Sequence, residues 1–527
     1  MEIVREESEP ERRRGPIDHH CLDPHHAADR EVLDNCHPSG YMNPAGDAVS
    51  GIYNLIAIGA GAAGLVSAGG AGLLGGRVAL IERNLLGGDC LNTGCVPSKA
   101  LIRGARALFE ARRAAQFGLV EEALTTPVDF GAAMERMRRL RARISDHDSV
   151  ARFREKYGVD VFLGHARFTG PNTLEVEGQR LRFNRAVIAT GGRPAVPPIP
   201  GLAEHGYHTS ETIFGLRQLP ARLAVVGGGP IGCELAQAFQ RYGSQVTILN
   251  AGEQLLPRED RLAAEIIERR LRDEGVTIEQ QVEIQRVESP GRLTYFNRAR
   301  EVRQLTVETI LVATGRVPNL AGLDLEAAGI DYAADGVKVD DHLRTSNRRV
   351  YAAGDVCSAQ QFTHAADAMA RIVIRNALFY GGARMSRLVI PRVTYTDPEV
   401  AHVGWNCTDG QRAGVELLRL TTPFDDNDRA IIDGDEEGYV SVWIEPGTGR
   451  LRGGTIVGRH AGEMIGQLTL AINQGLKIEA LAETIQPYPT LSDSLRRVAD
   501  QYQMGRITPW QRRLIKGWLS WNRGARR

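Results

Sequence analysis

Two stretches of this chain repeat one pattern, and the pattern leaves little freedom in the fold. Tyr53-Asn-Leu-Ile-Ala-Ile58 reads as a buried strand, and Gly59-Ala-Gly61-Ala-Ala-Gly64 follows at once, opening a run of small residues with helical character. Arg77-Val-Ala-Leu-Ile-Glu82 is a second apolar strand that ends in an acid. Each part has a mechanical task in holding a dinucleotide. The first glycine makes the turn and the second admits a pyrophosphate to the backbone. The third lets helix pack on strand, and Glu82 can accept hydrogen bonds from a ribose. The arrangement recurs in Leu223-Ala-Val-Val-Gly227-Gly-Gly229-Pro-Ile-Gly232-Cys-Glu234, followed by the strand Gln245-Val-Thr-Ile-Leu249. The chain is therefore expected to be α/β, with two Rossmann-like dinucleotide-binding domains and electrons passing between two dinucleotides. At the end of the second unit's second strand, where an acid would favour NAD and a nearby arginine NADP, stands Asn250-Ala251-Gly252. The sequence leaves NADH against NADPH open.

Between the two units lies Gly87-Gly-Asp-Cys90-Leu-Asn-Thr-Gly-Cys95-Val-Pro-Ser-Lys99. A structural disulfide is unexpected in a reducing compartment, and no second cysteine or histidine pair follows at zinc-site spacing. That leaves a redox pair, made and broken in turnover, with an electron source beside it. Five residues of regular helix would separate the two cysteines by ~7.5 Å, too far for most disulfides. The segment is expected to be distorted at Gly94. A helical run follows, over about 100–115, with Pro97 in its first turn, so that Cys95 sits at a helix N-terminus where a thiolate is favoured.

Bulk properties exclude several classes. The 527 residues imply several domains, and 64 Lys+Arg against 64 Asp+Glu point to neither nucleic acid nor an acidic partner. Seven scattered cysteines do not resemble a secreted disulfide framework. The apolar run from Leu55 to Ile81 is too rich in glycine for a membrane span, and the N-terminal stretch lacks a signal peptide's apolar core. A cytoplasmic, soluble protein is expected.

The cysteine motif is similar to the redox-active motif of the class I pyridine nucleotide–disulfide oxidoreductases, which include glutathione reductase, dihydrolipoyl dehydrogenase and mercuric reductase. The resemblance spans about 53–500. Ala189-Thr-Gly-Gly-Arg-Pro194 and Ala313-Thr-Gly-Arg-Val-Pro318 resemble the segments where the chain crosses between domains. Tyr351-Ala-Ala-Gly354-Asp355 resembles the family's ribityl-binding segment, and Thr394-Tyr-Thr-Asp-Pro-Glu399 the opening of its C-terminal α+β dimerisation domain. The implied layout is a His/Cys-containing flexible leader (1–52), an FAD-binding domain (53–205 and 331–386) interrupted by an NAD(P)-binding domain (206–330), a dimerisation domain (387–503) and a basic, Trp-containing tail (504–527). The resemblance implies that Gly59, Gly61, Gly64, Glu82, Lys99 and Asp355 hold FAD, with Glu234 paired to Lys99. It assigns Gly227, Gly229, Gly232 and Gly315 to NAD(P)H. Cys95 would face the flavin as a thiolate and Cys90 would attack substrate, the two forming a redox disulfide. Pro230 replaces the aromatic lid that some members place over the nicotinamide.

Members that reduce disulfides carry a His-Pro-Thr segment whose histidine, paired with a glutamate, moves protons across the dimer interface. Here Tyr488 takes the histidine's position and Asp493 the glutamate's. A tyrosine, with a pKa near ~10, is a poor base at neutral pH. A tyrosine at this place resembles mercuric reductase, although a C-terminal vicinal cysteine pair and an N-terminal GMTCxxC-type domain are absent from the sequence. The implied reaction is NAD(P)H-dependent, FAD-mediated reduction of a thiophilic metal ion or sulfur compound by a homodimer. A dihydrolipoyl-dehydrogenase-like dithiol enzyme and a disulfide-based redox sensor are the alternatives.

Three further segments carry expectations. His19, His20, Cys21, His25, His26, Cys36 and His37 are candidate soft-metal ligands in the leader, but their spacing fits no compact tetrahedral site, so no metal set is assigned. The run from Asp129 to Arg154 suggests one long helix with a solvated, arginine-rich face. The tail around Trp510, Trp518 and Trp521 could lie on an anionic membrane, but a helix docked on the protein's own dimer is the preferred expectation.

Overall fold

The computed structural model describes residues 22–45, 51–118, 128–379 and 381–524. Its first unit is built on β1 (Ile52–Ile58), β2 (Val78–Glu82), β3 (Val159–Leu163), β4 (Ala166–Gly170), β5 (Thr173–Val176) and β6 (Gln179–Ile188), in the sheet order β3-β2-β1-β6-β5-β4. β1, β2, β3 and β6 are parallel, and Val350–Ala352 returns from much later in the chain to pair in parallel with the end of β6. Every residue of β2 is buried, as expected of a parallel strand covered on both faces. A helix, α2 (Ala62–Leu73), follows β1 directly and packs its small residues against the sheet.

The first correction to the sequence reading concerns the leader. Within the part read as flexible, α1 (Ala27–Cys36) is a docked helix. Leu22, Ala28, Val32 and Cys36 are buried in the core of the first unit, because Ala28, Val32 and Cys36 recur every four residues and form one apolar stripe. The second correction concerns the arginine-rich run. It splits into α5 (Phe130–Ser145) and α6 (Val150–Tyr157), and two of its arginines face inward. Arg141, 0% exposed, lies 2.5 Å from Asp29, itself 1% exposed, and Arg138 lies 3.5 Å from the same carboxylate. Their charge belongs to the α1–α5 contact.

The cysteine segment breaks where expected. Cys90 lies in α3 (Gly88–Asn92), and Cys95 is the first residue of α4 (Cys95–Arg112), which begins five residues ahead of the expected helix. Gly94 sits at the break because a Cβ there would lie 2.8 Å from the Asp89 carbonyl oxygen and 3.5 Å from the Cys90 Cα.

The second unit repeats the plan in a four-stranded parallel sheet. Its strands are β7 (Arg222–Val226), β8 (Gln245–Asn250), β9 (Thr277–Gln280) and β10 (Thr309–Val312), in the order β9-β8-β7-β10. Its first helix, α7 (Pro230–Tyr242), starts with Pro230 at the position where a missing N–H costs nothing. The two crossing segments lie side by side, Gly192–Pro194 paired antiparallel with Arg316–Pro318.

After α8 (Thr363–Phe379), an antiparallel sheet forms from β11 (Arg392–Thr394), β12 (Glu399–Gly404), β13 (Leu418–Pro423), β14 (Tyr439–Ile444) and β15 (Leu451–Gly458), ordered β11-β12-β15-β14-β13. Two helices, α9 (Ala461–Asn473) and α10 (Asp493–Gly505), share its apolar core. The final helix, α11 (Pro509–Gly524), leaves Trp510, Leu514, Ile515, Trp518, Leu519 and Trp521 exposed. Among the described residues no helix is long and apolar enough to cross a membrane.

Candidate active site

The first glycine loop divides its tasks as its spacing suggests. A Cβ at Gly64 would lie 1.7 Å from the Gly59 carbonyl oxygen, so helix and strand approach too closely for any side chain. A Cβ at Gly61 would meet nothing nearer than 3.9 Å, which leaves the face toward the α2 N-terminus open for a phosphate. Glu82 ends β2, and its buried carboxylate accepts the Ala60 N–H at 2.6 Å and the Asn84 N–H at 2.8 Å. Burial raises its pKa, and these two donors oppose the rise. In the second loop a Cβ at Gly232 would lie 2.1 Å from the Gly227 carbonyl oxygen, while around Gly229 and Gly315 there is open space. Asn250 spends its side chain on the loop itself, accepting the Gly228 N–H at 3.3 Å and donating to the Gly252 and Gln254 carbonyls.

The thiols of Cys90 and Cys95 are hydrogen-bonded to each other, and the Thr363 hydroxyl at the start of α8 stands 3.5 Å from the Cys95 Sγ. The Cys90 thiol donating to Cys95, together with Thr363 and the Lys99 ammonium, pulls Cys95 down to about 6 against the opposing effect of burial. The same bond and burial push Cys90 upward. One proton therefore leaves readily and the other is held, an asymmetry that belongs to the pair. All six described cysteines are thiols. Of those outside the pair, Cys233 lies in the core, Cys357 is half-buried beside Gly354, and Cys407 is exposed.

Lys99 and Glu234 meet at 2.8 Å, joining α4 to α7. Burial works against the Lys99 charge, but Glu234 more than offsets it and holds the ammonium above its usual pKa. The other Glu234 oxygen accepts the Tyr395 N–H at 2.9 Å, and the Lys99 ammonium lies over the Tyr395 ring. Asp355 lies 3.3 Å from Arg316, which also pairs with Asp89 of the cysteine motif. Sequence reading missed Thr363, Arg316, Asp89 and Tyr395. Asp89, Arg316 and Tyr395 stand inside recognised segments and so carried a local signal, whereas Thr363 carried none.

Tyr488 and Asp493 do not join this cluster within one chain. Tyr488 is 73% exposed and its hydroxyl donates to Asp428 at 2.8 Å, which raises its pKa further. Asp493 pairs instead with Arg496 and Arg497, which hold its carboxyl low against burial. Of the candidate metal ligands in the leader, His19, His20 and Cys21 fall outside the described residues. His26 is paired with Glu135 at 2.6 Å and Cys36 is buried with its pKa pushed upward. Among the described residues no group of three His, Cys, Asp or Glu could hold a metal ion.

Both glycine loops, both thiols, Lys99, Asp355, Glu82 and Glu234 line one continuous cleft of about 2960 Å³. That is roughly three times the upper end of ordinary small-molecule sites, near ~1,000 Å³, and it accords with two dinucleotides. The open loop faces and the ribose-side carboxylate fit FAD at the first unit and a nicotinamide dinucleotide at the second.

Comparison with known proteins points the same way. The pyridine nucleotide-disulphide oxidoreductase family matches residues 53–370, and the dimerisation domain of that family matches residues 390–499. A mercuric reductase of Staphylococcus aureus is 35% identical over 452 residues, covering 85% of this chain and 82% of the relative. A dihydrolipoyl dehydrogenase of Bacillus subtilis is 31% identical over 445 residues, covering 84% and 96% respectively. Among solved structures, the Cu(II) complex of the HOCl-induced flavoprotein disulfide reductase RclA from Escherichia coli superposes with a TM-score of 0.75 at 30% identity, covering 84% of this chain and 98% of that one.

Proposed function

The chain belongs to the pyridine nucleotide-disulphide oxidoreductases, and from that premise we propose that its electron acceptor is a thiophilic metal ion or its thiol complex, taken up by Cys90 and Cys95. It is an FAD-dependent NAD(P)H oxidoreductase. When bound, FAD supplies two-electron transfer between a nicotinamide hydride and a sulfur centre.

The chain's residues prepare the sulfur end. Cys95 is a thiolate at neutral pH and can ligate a soft cation at once. Cys90 keeps its proton until a metal ion displaces it, so binding releases one proton from the pair. Lys99, fixed by Glu234, keeps positive charge beside the thiolate. The assignments of Gly59, Gly61, Gly64 and Asp355 to FAD, and of Gly227, Gly229, Gly232 and Gly315 to NAD(P)H, are part of the same proposal.

The observation that carries the choice of acceptor is Tyr488. Reducing a disulfide takes two electrons and two protons, whereas reducing a divalent metal ion to the element takes two electrons and none. At the position where disulfide reductases keep a titrating histidine, the Tyr488 hydroxyl donates a hydrogen bond to Asp428, which raises its pKa and leaves even less phenolate at neutral pH to take up a proton. A dihydrolipoyl-dehydrogenase-like reaction is the second reading, supported by the 31% identical relative. The dimerisation domain supports a homodimer, and the proposal places Tyr488 near the partner's thiols and α11 under cover in that dimer.

The test is NADPH oxidation with Hg(II) in excess small thiol, following mercury lost as vapour, with Cys95→Ser as control. Mercury loss that depends on Cys95 is expected. NADPH-reduced flavin without mercury loss, together with turnover of lipoamide, would overturn the metal reading in favour of the second.

A further inference from the structure

We propose that residues 22–45 form a clasp over the adenosine end of the FAD site, retaining the cofactor by closing the cleft beside Glu82. The proposal rests on the first unit being the FAD unit. The clasp precedes the family match, which starts at residue 53.

One end of the clasp is fixed by α1. The buried Asp29 is held by Arg141 and Arg138 of α5, and Asn35 donates to the Ser145 hydroxyl at 2.9 Å. Beyond α1 the chain passes Leu86, just after β2, and runs along β3 to its last residue. The Leu86 N–H donates to the Cys36 carbonyl at 3.2 Å, and the Tyr41 hydroxyl donates to the Val161 carbonyl at 2.8 Å. The Asn43 side chain then closes a two-bond ring with the Leu163 backbone, donating to its carbonyl at 3.0 Å and accepting its N–H at 2.8 Å. Asn43 thus supplies, at the edge of the sheet, the pair of bonds a further strand would make.

Between these anchors His37, Pro38, Ser39 and Gly40 line the cleft in company with Glu82 and His165. An acid at the end of the second strand marks the ribose of the bound nucleotide, so the clasp faces the adenosine half of FAD rather than the thiol pair. A ligand covered by pinned chain leaves through local opening, and the anchors set how often that opening occurs.

The experiment measures cofactor release rather than turnover. Holoprotein is diluted into excess flavin-scavenging protein and free-flavin fluorescence is followed, for wild type and for Tyr41→Phe/Asn43→Ala, which removes three anchoring bonds and leaves α1 in place. FAD release is expected to be at least about tenfold faster in the variant. Release of FMN, which lacks adenosine, from reconstituted protein is expected to be the same in both. Unchanged FAD release, or FAD and FMN release accelerated alike, would overturn the clasp. In wild type, backbone amides of 37–45 are expected to exchange hydrogen more slowly with FAD than without it. Equal exchange overturns the proposal even if the variant does not fold. A protein purified without FAD would instead refute the assignment of the first unit.

Discussion

Replacing Thr363 by valine isolates one of the forces that make Cys95 acidic. The hydroxyl stands 3.5 Å from the Cys95 Sγ, and valine keeps its shape without the donor. A hydrogen bond to a charged group contributes about 1.5–3 kcal/mol. The contact is long, sulfur is a diffuse acceptor and Cys95 keeps an open side to the cleft, so screening reduces the effect to about 1.4 kcal/mol. That is about one pKa unit. The first deprotonation of the pair, now near 6, then moves to roughly 7. The sign is fixed: the thiolate is complete well above its pKa and lost as pH falls through it, so the variant loses it about one unit earlier. At pH 7 the thiolate fraction drops from about nine-tenths to about one-half. The assay is thiolate absorbance at 240 nm against pH in the reduced protein, with Cys95→Ser as baseline. A titration that moves by less than about 0.3 units, the resolution of such an assay, would show that Thr363 does not stabilise the thiolate.

Other perturbations test other links. Asp29→Asn strips Arg141 of its buried counter-charge and should destabilise the first unit by about 3 kcal/mol in urea unfolding, since breaking such pairs costs about 3–5; a change below about 1 kcal/mol would mean that α1 is not docked. Tyr488→His should raise lipoamide or glutathione-disulfide reduction by about tenfold or more near pH 7 while leaving metal reduction little changed. Equal effects on both would refute the proton argument. If α11 is covered within the dimer, the protein should not sediment with anionic vesicles at low salt, and removal of 507–527 should weaken self-association in analytical ultracentrifugation. Vesicle binding would instead assign its apolar and basic faces to a lipid surface.

Legibility followed sequence distance. The glycine loops, the strand-ending Glu82 and the break at Gly94 are local patterns, and each was readable where it stands. Lys99–Glu234 was readable only through the family resemblance, because 135 residues separate the partners. Thr363 and Arg316 reach the cysteine motif from 268 and 227 residues away; Arg316 stands in a recognised crossing segment, but nothing local marks its pairing with Asp89, and nothing local marks Thr363. The inward arginines of α5 were misread for the same reason, since their partner Asp29 lies in a segment read as flexible. That segment did carry a signal in the four-residue spacing of Ala28, Val32 and Cys36, but three apolar positions among polar neighbours are too few to distinguish a docked helix from a flexible leader. Tyr488 was legible as a departure from the family, whereas its partner Asp428 was not.

Glu234 has a consequence for how such proteins can be recombined. Its carboxylate, 5% exposed, takes a side-chain cation from the first unit and a main-chain N–H from Tyr395 at the start of the dimerisation domain. Any residue except proline supplies a main-chain N–H, so a dimerisation domain grafted from a relative keeps that bond whatever its sequence. A first unit grafted without a lysine at position 99 leaves the same carboxylate buried and short of its counter-charge. Exchange between relatives is thus tolerated at one seam and restricted at the other, and chimeras should survive accordingly.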